Sequence, residues 1–156
     1  MKRYLALLSL LTACAFAGSL AVAAPEKDPL KPRVPKSERG AAKRLKPPYG
    51  STKKAPADVI AEGKRIFEGE GTCVNCHGKK GDGQGPAGKA LPIGPRNFTN
   101  CKFHKRRKDG ELFWVIKNGS PNTPMVAMVK PKGPLTEEQA WKVLAYERTF
   151  CKDWKK

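Results

Sequence analysis

The sequence predicts an all-α domain. Apolar residues recur at helical spacing in three stretches, at residues 57–68, 110–118 and 136–150. Loops rich in Gly and Pro separate them, and no strand pattern surrounds the cysteine motif at residues 73–77. A basic, proline-rich stretch of about 30 residues precedes the first helix.

The chain opens Met1-Lys2-Arg3-Tyr4, runs apolar from Leu5 to Ala17, and reaches small residues ending Ala21-Val22-Ala23-Ala24-Pro25. A short basic region, an apolar core and an Ala-x-Ala site describe a secretory signal peptide over residues 1–23, cut after Ala23. Two alternatives stay open. One is an uncleaved N-terminal membrane helix, for which the run is short. The other is a lipid anchor on Cys14, since Leu11-Thr12-Ala13-Cys14 resembles a bacterial lipobox. Loss of residues 1–23 removes Lys2 and Arg3 and leaves +15 of the formal +17. Such a charge selects acidic proteins or anionic membrane surfaces as partners. Export argues against nucleic acid.

Residues 24–56 form the expected arm. Seven prolines, ten Lys/Arg and three Asp/Glu lie between Pro25 and Pro56. Few large apolar residues offset the ordering entropy, so the arm is expected to be disordered and extended, spanning up to about 100 Å at about 3 Å per residue. It reads as a spacer, or as a basic tether to a membrane or an acidic partner. The folded domain is expected over residues 57–156.

The first helix, Ala57–Glu68, places Val59, Ile60, Gly63, Ile66 and Phe67 on one face. Gly63 on that face predicts close approach by another helix, because a mid-helix glycine otherwise costs up to about 1 kcal/mol. Gly69 and Gly71 end the helix. Residues 78–95 form a long loop with six glycines and three prolines. It lacks the Gly-Lys-Ser/Thr ending of a phosphate-binding loop, and wrapping a flat cofactor accounts for its length. Lys102, Lys105, Arg106, Arg107 and Lys108 form a basic cluster, read as a solvated face or a docking patch, with His104 expected to be exposed. Asp109 is expected to cap a short helix from Gly110 to Asn118. Residues 120–134 are irregular and hold Met125 and Met128. The last helix, Thr136–Phe150, opens with a Thr136/Gln139 capping box. It carries a stripe of Trp141, Leu144 and Ala145, suited to the Gly63 face.

The chemistry is concentrated in Cys73-Val74-Asn75-Cys76-His77. Cys-x-x-Cys-His reads as a c-type haem attachment site. Two thiols one turn apart span one porphyrin edge, and the adjacent histidine reaches the iron. Other readings of the same residues are a thioredoxin-like pair, a simple Cys73–Cys76 disulfide, and a Cys₃His zinc site made by Cys73, Cys76, Cys101 and His104. Of the five cysteines, removing Cys14, Cys73 and Cys76 leaves Cys101 and Cys151. In an oxidising compartment these are expected to pair, closing a loop of about 50 residues and contributing at most about 4 kcal/mol.

In their order along the chain, these pieces resemble a class I c-type cytochrome, the monohaem family that includes mitochondrial cytochrome c. The likeness runs from Ala57 to Phe150. It rests on Gly63 and Phe67, Cys73 to Gly78, the loop ending Gly94-Pro95-Arg96-Asn97-Phe98, the Thr123-Pro124-Met125 loop, and Trp141 with Ala145-Tyr146. The resemblance implies a small fold of three to four helices around one covalent haem c. Cys73 and Cys76 are then the thioether attachments, and His77 and Met125 the axial iron ligands, with Met128 as the fallback. Pro95 is the residue whose carbonyl would accept from His77. The departures are Val126, where a proline often follows the distal methionine, and the Cys101/Cys151 pair.

The resulting expectation is an exported one-electron carrier and not an enzyme. It would serve periplasmic or membrane redox partners such as an acidic reductase, oxidase or peroxidase. The alternatives are a cytochrome subunit of a larger oxidoreductase, and a zinc-stabilised basic binding module.

Overall fold

The structure, a computed structural model, describes residues 29–153. The expected signal peptide and Cys14 lie outside these residues. Six α-helices form among them: α1 Arg39–Arg44, α2 Ala57–Glu68, α3 Cys73–His77, α4 Cys101–Arg106, α5 Asp109–Asn118 and α6 Glu137–Thr149. Short 3-10 turns occur at Thr52–Lys54 and Gly88–Ala90. The described residues contain no strand, only one isolated bridge between Val129 and Leu135. The all-α class is as predicted, with α1, α3 and α4 in addition to the three expected helices.

The frame is the crossing of α2 and α6. A Cβ on Gly63 would lie 2.0 Å from the carbonyl oxygen of Lys142, so only glycine lets the two backbones meet there. Phe67 packs edge-on to Tyr146, ring centroids 5.5 Å apart, and both rings meet Phe150. Ile66, Leu135, Ala140 and Leu144 are fully buried around this crossing. Thr136 caps α6: its hydroxyl accepts from the Gln139 N–H, and the Gln139 side chain accepts from the Thr136 N–H at 2.8 Å. The helix α5 joins the crossing through Phe113, stacked on Trp141.

Asp109 does not cap α5 as expected. The Glu111 carboxylate accepts from the Lys108 N–H at 2.9 Å and closes that end. The Asp109 carboxylate accepts instead from Thr52 N–H and Oγ1, each at 2.8 Å, and from Arg148 Nη2 at 2.7 Å. Arg148 is 1% exposed. It also donates to the carbonyls of His104 and Arg107. A buried guanidinium is tolerable only with such partners.

His104 is fully buried, not exposed. It sits on α4, whose start is capped by Asn100 accepting from Lys102 and Phe103 N–H. Since a carbonyl can only accept, His104 Nε2–H donates to Phe98 O at 2.6 Å, and Nδ1 accepts from Arg148 at 3.2 Å. The basic run around His104 hid this, because its outer positions Lys102, Lys105 and Arg106 are helical neighbours that face solvent. Cys101 at the head of α4 is disulfide-bonded to Cys151, 50 residues on, just past α6.

The arm from Pro29 onward is not an extended tether. Val34 and Ala42 are buried. Gly110 lets α1 lie on α5, since a Cβ there would be 2.0 Å from Ala42 O. Tyr49 donates to Trp141 O at 2.8 Å. Arg96 donates to the carbonyls of Pro29 and Lys31, Arg107 to that of Leu30, and Arg39 to that of Val34. Counting large apolar side chains predicted disorder. The arm is held instead by small-residue contact and by backbone carbonyls that arginines reach, neither of which composition records.

Gly63→Ala is expected to destabilise by about 1–3 kcal/mol, because a backbone carbonyl must move; urea unfolding measures it. Burial pushes the His104 imidazole from 6.5 down to about 4, with Phe98 O opposing and the Arg148 charge adding. Between these values the unfolded chain binds a proton that the folded chain refuses, so stability is present above pH 6.5 and is lost as pH falls towards about 4. The slope of stability against pH in that window is expected to shrink in His104→Gln, measured by denaturant titrations across the pH series.

Candidate cofactor site

The helix α3 carries the Cys-x-x-Cys-His motif and is only five residues long. Its trailing carbonyls need outside donors, and the glycine loop supplies them. Ala87 N–H donates to Asn75 O, Gly85 N–H to Cys76 O, and Gly83 N–H to His77 O, at 2.9, 3.1 and 2.9 Å. A Cβ on Gly85 would stand 2.4 Å from Asn75 O, and one on Gly88 2.2 Å from Cys76 O. The glycines therefore let the loop lie directly on the motif.

A cavity of about 290 Å³ opens beside α3. Cys73, Cys76 and His77 line it together with Met125 and Met128 from the loop before α6. Pro95, Phe98, Leu112 and Ile116 add apolar wall, and Ile93 and Val126 reach the surface at its mouth. Lys31, Pro32, Arg33 and Val34 of the arm also line it.

The residues fit a covalently held haem. Cys73 and Cys76 are in no disulfide. Burial pushes the Cys73 thiol up to about 12, so it is a neutral thiol. His77 Nδ1 faces the carbonyl of Arg96 at 3.2 Å. Nδ1 must carry the proton, which leaves the Nε2 lone pair available to a metal. Burial also pushes His77 down to about 4, keeping it neutral and able to ligate. Its ring stacks on Phe98 with centroids 4.3 Å apart, and Phe98 is in turn held by its carbonyl bond to His104.

The carbonyl facing His77 belongs to Arg96, not to Pro95 as expected. The Pro95 carbonyl points towards Gly83, where a Cβ would meet it at 2.7 Å. The offset is one residue, and spacing alone does not resolve which carbonyl turns inward. The four zinc-type residues do not assemble: Cys101 is bonded to Cys151 and both ring nitrogens of His104 are engaged. Among the described residues no group of three or more His, Cys, Asp or Glu is placed to hold a metal.

Glu147 escaped the sequence reading. It lines the cavity from α6, is 4% exposed, and its Oε1 has no hydrogen-bond partner. Burial pushes its carboxyl up to about 8, against the pull of Arg148 and Arg96 and with help from Asp109. The available signal was that the apolar stripe of α6 continues through positions 147 and 148, where two charged residues stand in core positions.

No curated protein matches the chain. In fold, it is similar to a chain of the reducing HAO-like protein complex of Kuenenia stuttgartiensis, with a TM-score of 0.52 and 24% sequence identity. That likeness covers 62% of this chain and 45% of the other, so this chain spans less than half of that one's length. The family model described as Cytochrome c matches residues 60–149, which is more than half of the chain and includes the motif, the loop, both methionines and α6. The chain belongs to the cytochrome c family, and that family implies a covalently held haem c.

Proposed function

We propose that this chain is an exported monohaem carrier of the class I type, shuttling single electrons between redox proteins. The observation that supports this is the sharing of one cavity by Cys73, Cys76, His77, Met125 and Met128. One-electron exchange at the iron is the chemistry that haem supplies when bound. The chain's residues do the rest. Cys73 and Cys76 would anchor the group by thioether bonds. His77 would ligate through Nε2, with Arg96 O fixing its ring. Met125 would be the second iron ligand, with Met128 as the fallback, and a thioether ligand raises the reduction potential. The apolar wall excludes water, which also favours the less charged reduced state.

The mouth of the cavity suits docking. Ile93 and Val126 are exposed apolar residues that line the cavity, as do Lys31 and Arg33 of the arm. An acidic partner would be steered by these charges and by the exposed Lys102, Lys105 and Arg106 of α4. Export rests on the expected signal peptide; among the described residues no helix is long and apolar enough to cross a membrane. A second reading, a cytochrome subunit of a larger oxidoreductase, draws on the HAO-like complex to which the structural neighbour belongs.

Met125→Ala is expected to abolish the sulfur-to-iron absorption band of the oxidised protein and to lower its potential, while Met128→Ala keeps the band. The reverse pattern would reassign the ligand. The second-order rate with an acidic redox partner is expected to fall several-fold as ionic strength rises past about 0.1 M, where the Debye length shortens to about 10 Å. Stopped-flow measurement across a salt series checks it, and a flat profile removes the docking role of the basic residues.

A further inference from the structure

We propose that Glu147 is a proton acceptor linked to the redox state of the haem, so that the protein carries a proton with its electron. The inference rests on the electron-carrier reading above.

The geometry carries it. Glu147 is a carboxyl in the wall of the cofactor cavity, 4% exposed, with Oε1 lacking any hydrogen-bond partner. A buried polar group without a partner calls for a reason. The structural alternative, a core position, is served better by leucine, and the adjoining stripe of Val143, Leu144 and Ala145 shows what such positions otherwise hold. A porphyrin held in this cavity would exclude water from the carboxyl that lines it and would supply the charge that changes.

The surrounding charges do not hold Glu147 permanently ionised. Arg148, next on α6, is paired at 2.7 Å with Asp109 of α5. Arg96, from the loop before α4, donates to the carbonyls of Pro29 and Lys31. Arg107 pairs with Glu111 at 3.5 Å and donates to Leu30 O. Cys73 of α3 is a neutral thiol and stays uncharged as a thioether. Arg33 and Lys31 line the same cavity from the arm. The carboxyl is thus poised between forms, with its raised proton affinity caused first by burial.

The step balances. One electron from the redox partner reduces the iron. One proton from solvent forms an O–H bond at the Glu147 carboxylate. On oxidation that O–H bond breaks and the proton returns to solvent. The sign follows from Coulomb's law: the reduced centre carries one positive charge fewer, so Glu147 keeps its proton to higher pH in the reduced protein than in the oxidised one. Between those two points the potential falls as pH rises. The limit is a tenfold change in the redox equilibrium per pH unit, or about 59 mV for one electron.

The test is spectroelectrochemical titration of the full haem-loaded chain from about pH 5 to about pH 9, in wild type, Glu147→Gln and Glu147→Leu. The expected result is a sloping window in wild type that is flat in both variants, with the c-type absorption spectrum retained. The redox-difference infrared spectrum should show a protonated-carboxyl band gained on reduction and missing in Glu147→Gln. Two results overturn the proposal: a wild-type potential that is flat over this range, or a slope that survives both substitutions and so belongs to the haem propionates. Should neither variant hold haem, the wild-type infrared band decides, and its absence also overturns the proposal. A wild-type protein that binds no haem would overturn the carrier reading instead.

Discussion

The structure depends on how the carbonyl end of α3 is satisfied. A helix of five residues is too short to stand by itself. Three N–H groups from the following loop close its last carbonyls, at Gly83, Gly85 and Ala87. This fastening holds Cys73, Cys76 and His77 as one rigid surface. The same loop then returns to present Arg96 O to His77 and the Phe98 ring to its face. The glycines of the loop are thus a consequence of contact: a side chain at Gly85 or Gly88 would occupy the space of the motif's own backbone.

A second layer of constraint is polar and buried. Asp109 gathers Thr52 of the arm and Arg148 of α6, and Arg148 reaches His104, which holds Phe98. The chain of contacts therefore runs from the arm, through the core, to the ring stacked on His77. Buried charges are costly unless every partner is present, so this network ties the arm, α4, α5 and α6 to one arrangement. The Cys101–Cys151 bond joins the first and last of those helices covalently at the same end.

Much of this was legible in the sequence because it followed from local rules. The bounds of α2, the Thr136/Gln139 box and the meaning of Gly63 each depend on a few neighbouring residues or on one steric fact. The motif also declared its own spacing. What remained hidden was decided at long range. The identity of the carbonyl facing His77 turns on a one-residue rotation of the backbone between Pro95 and Arg96. His104 sits among five basic neighbours, and only its partners Phe98 O and Arg148 explain its burial. Glu147 and Arg148 look like surface residues until the stripe of α6 is followed to its end. The arm shows the limit of composition most plainly, since several of its anchors are its own backbone oxygens.

The strap from Pro29 to Val34 bears on the order in which the molecule is assembled. Its carbonyls meet Arg96 and Arg107 at separations of 65, 67 and 77 residues. A ribosome delivers the strap early, yet it has nothing to bind until those arginines exist and have been brought into place. Closing a loop of that length has an entropic cost that local helices do not meet. The wall of the cavity that is synthesised first is therefore completed only when Arg96 and Arg107 have been brought into place.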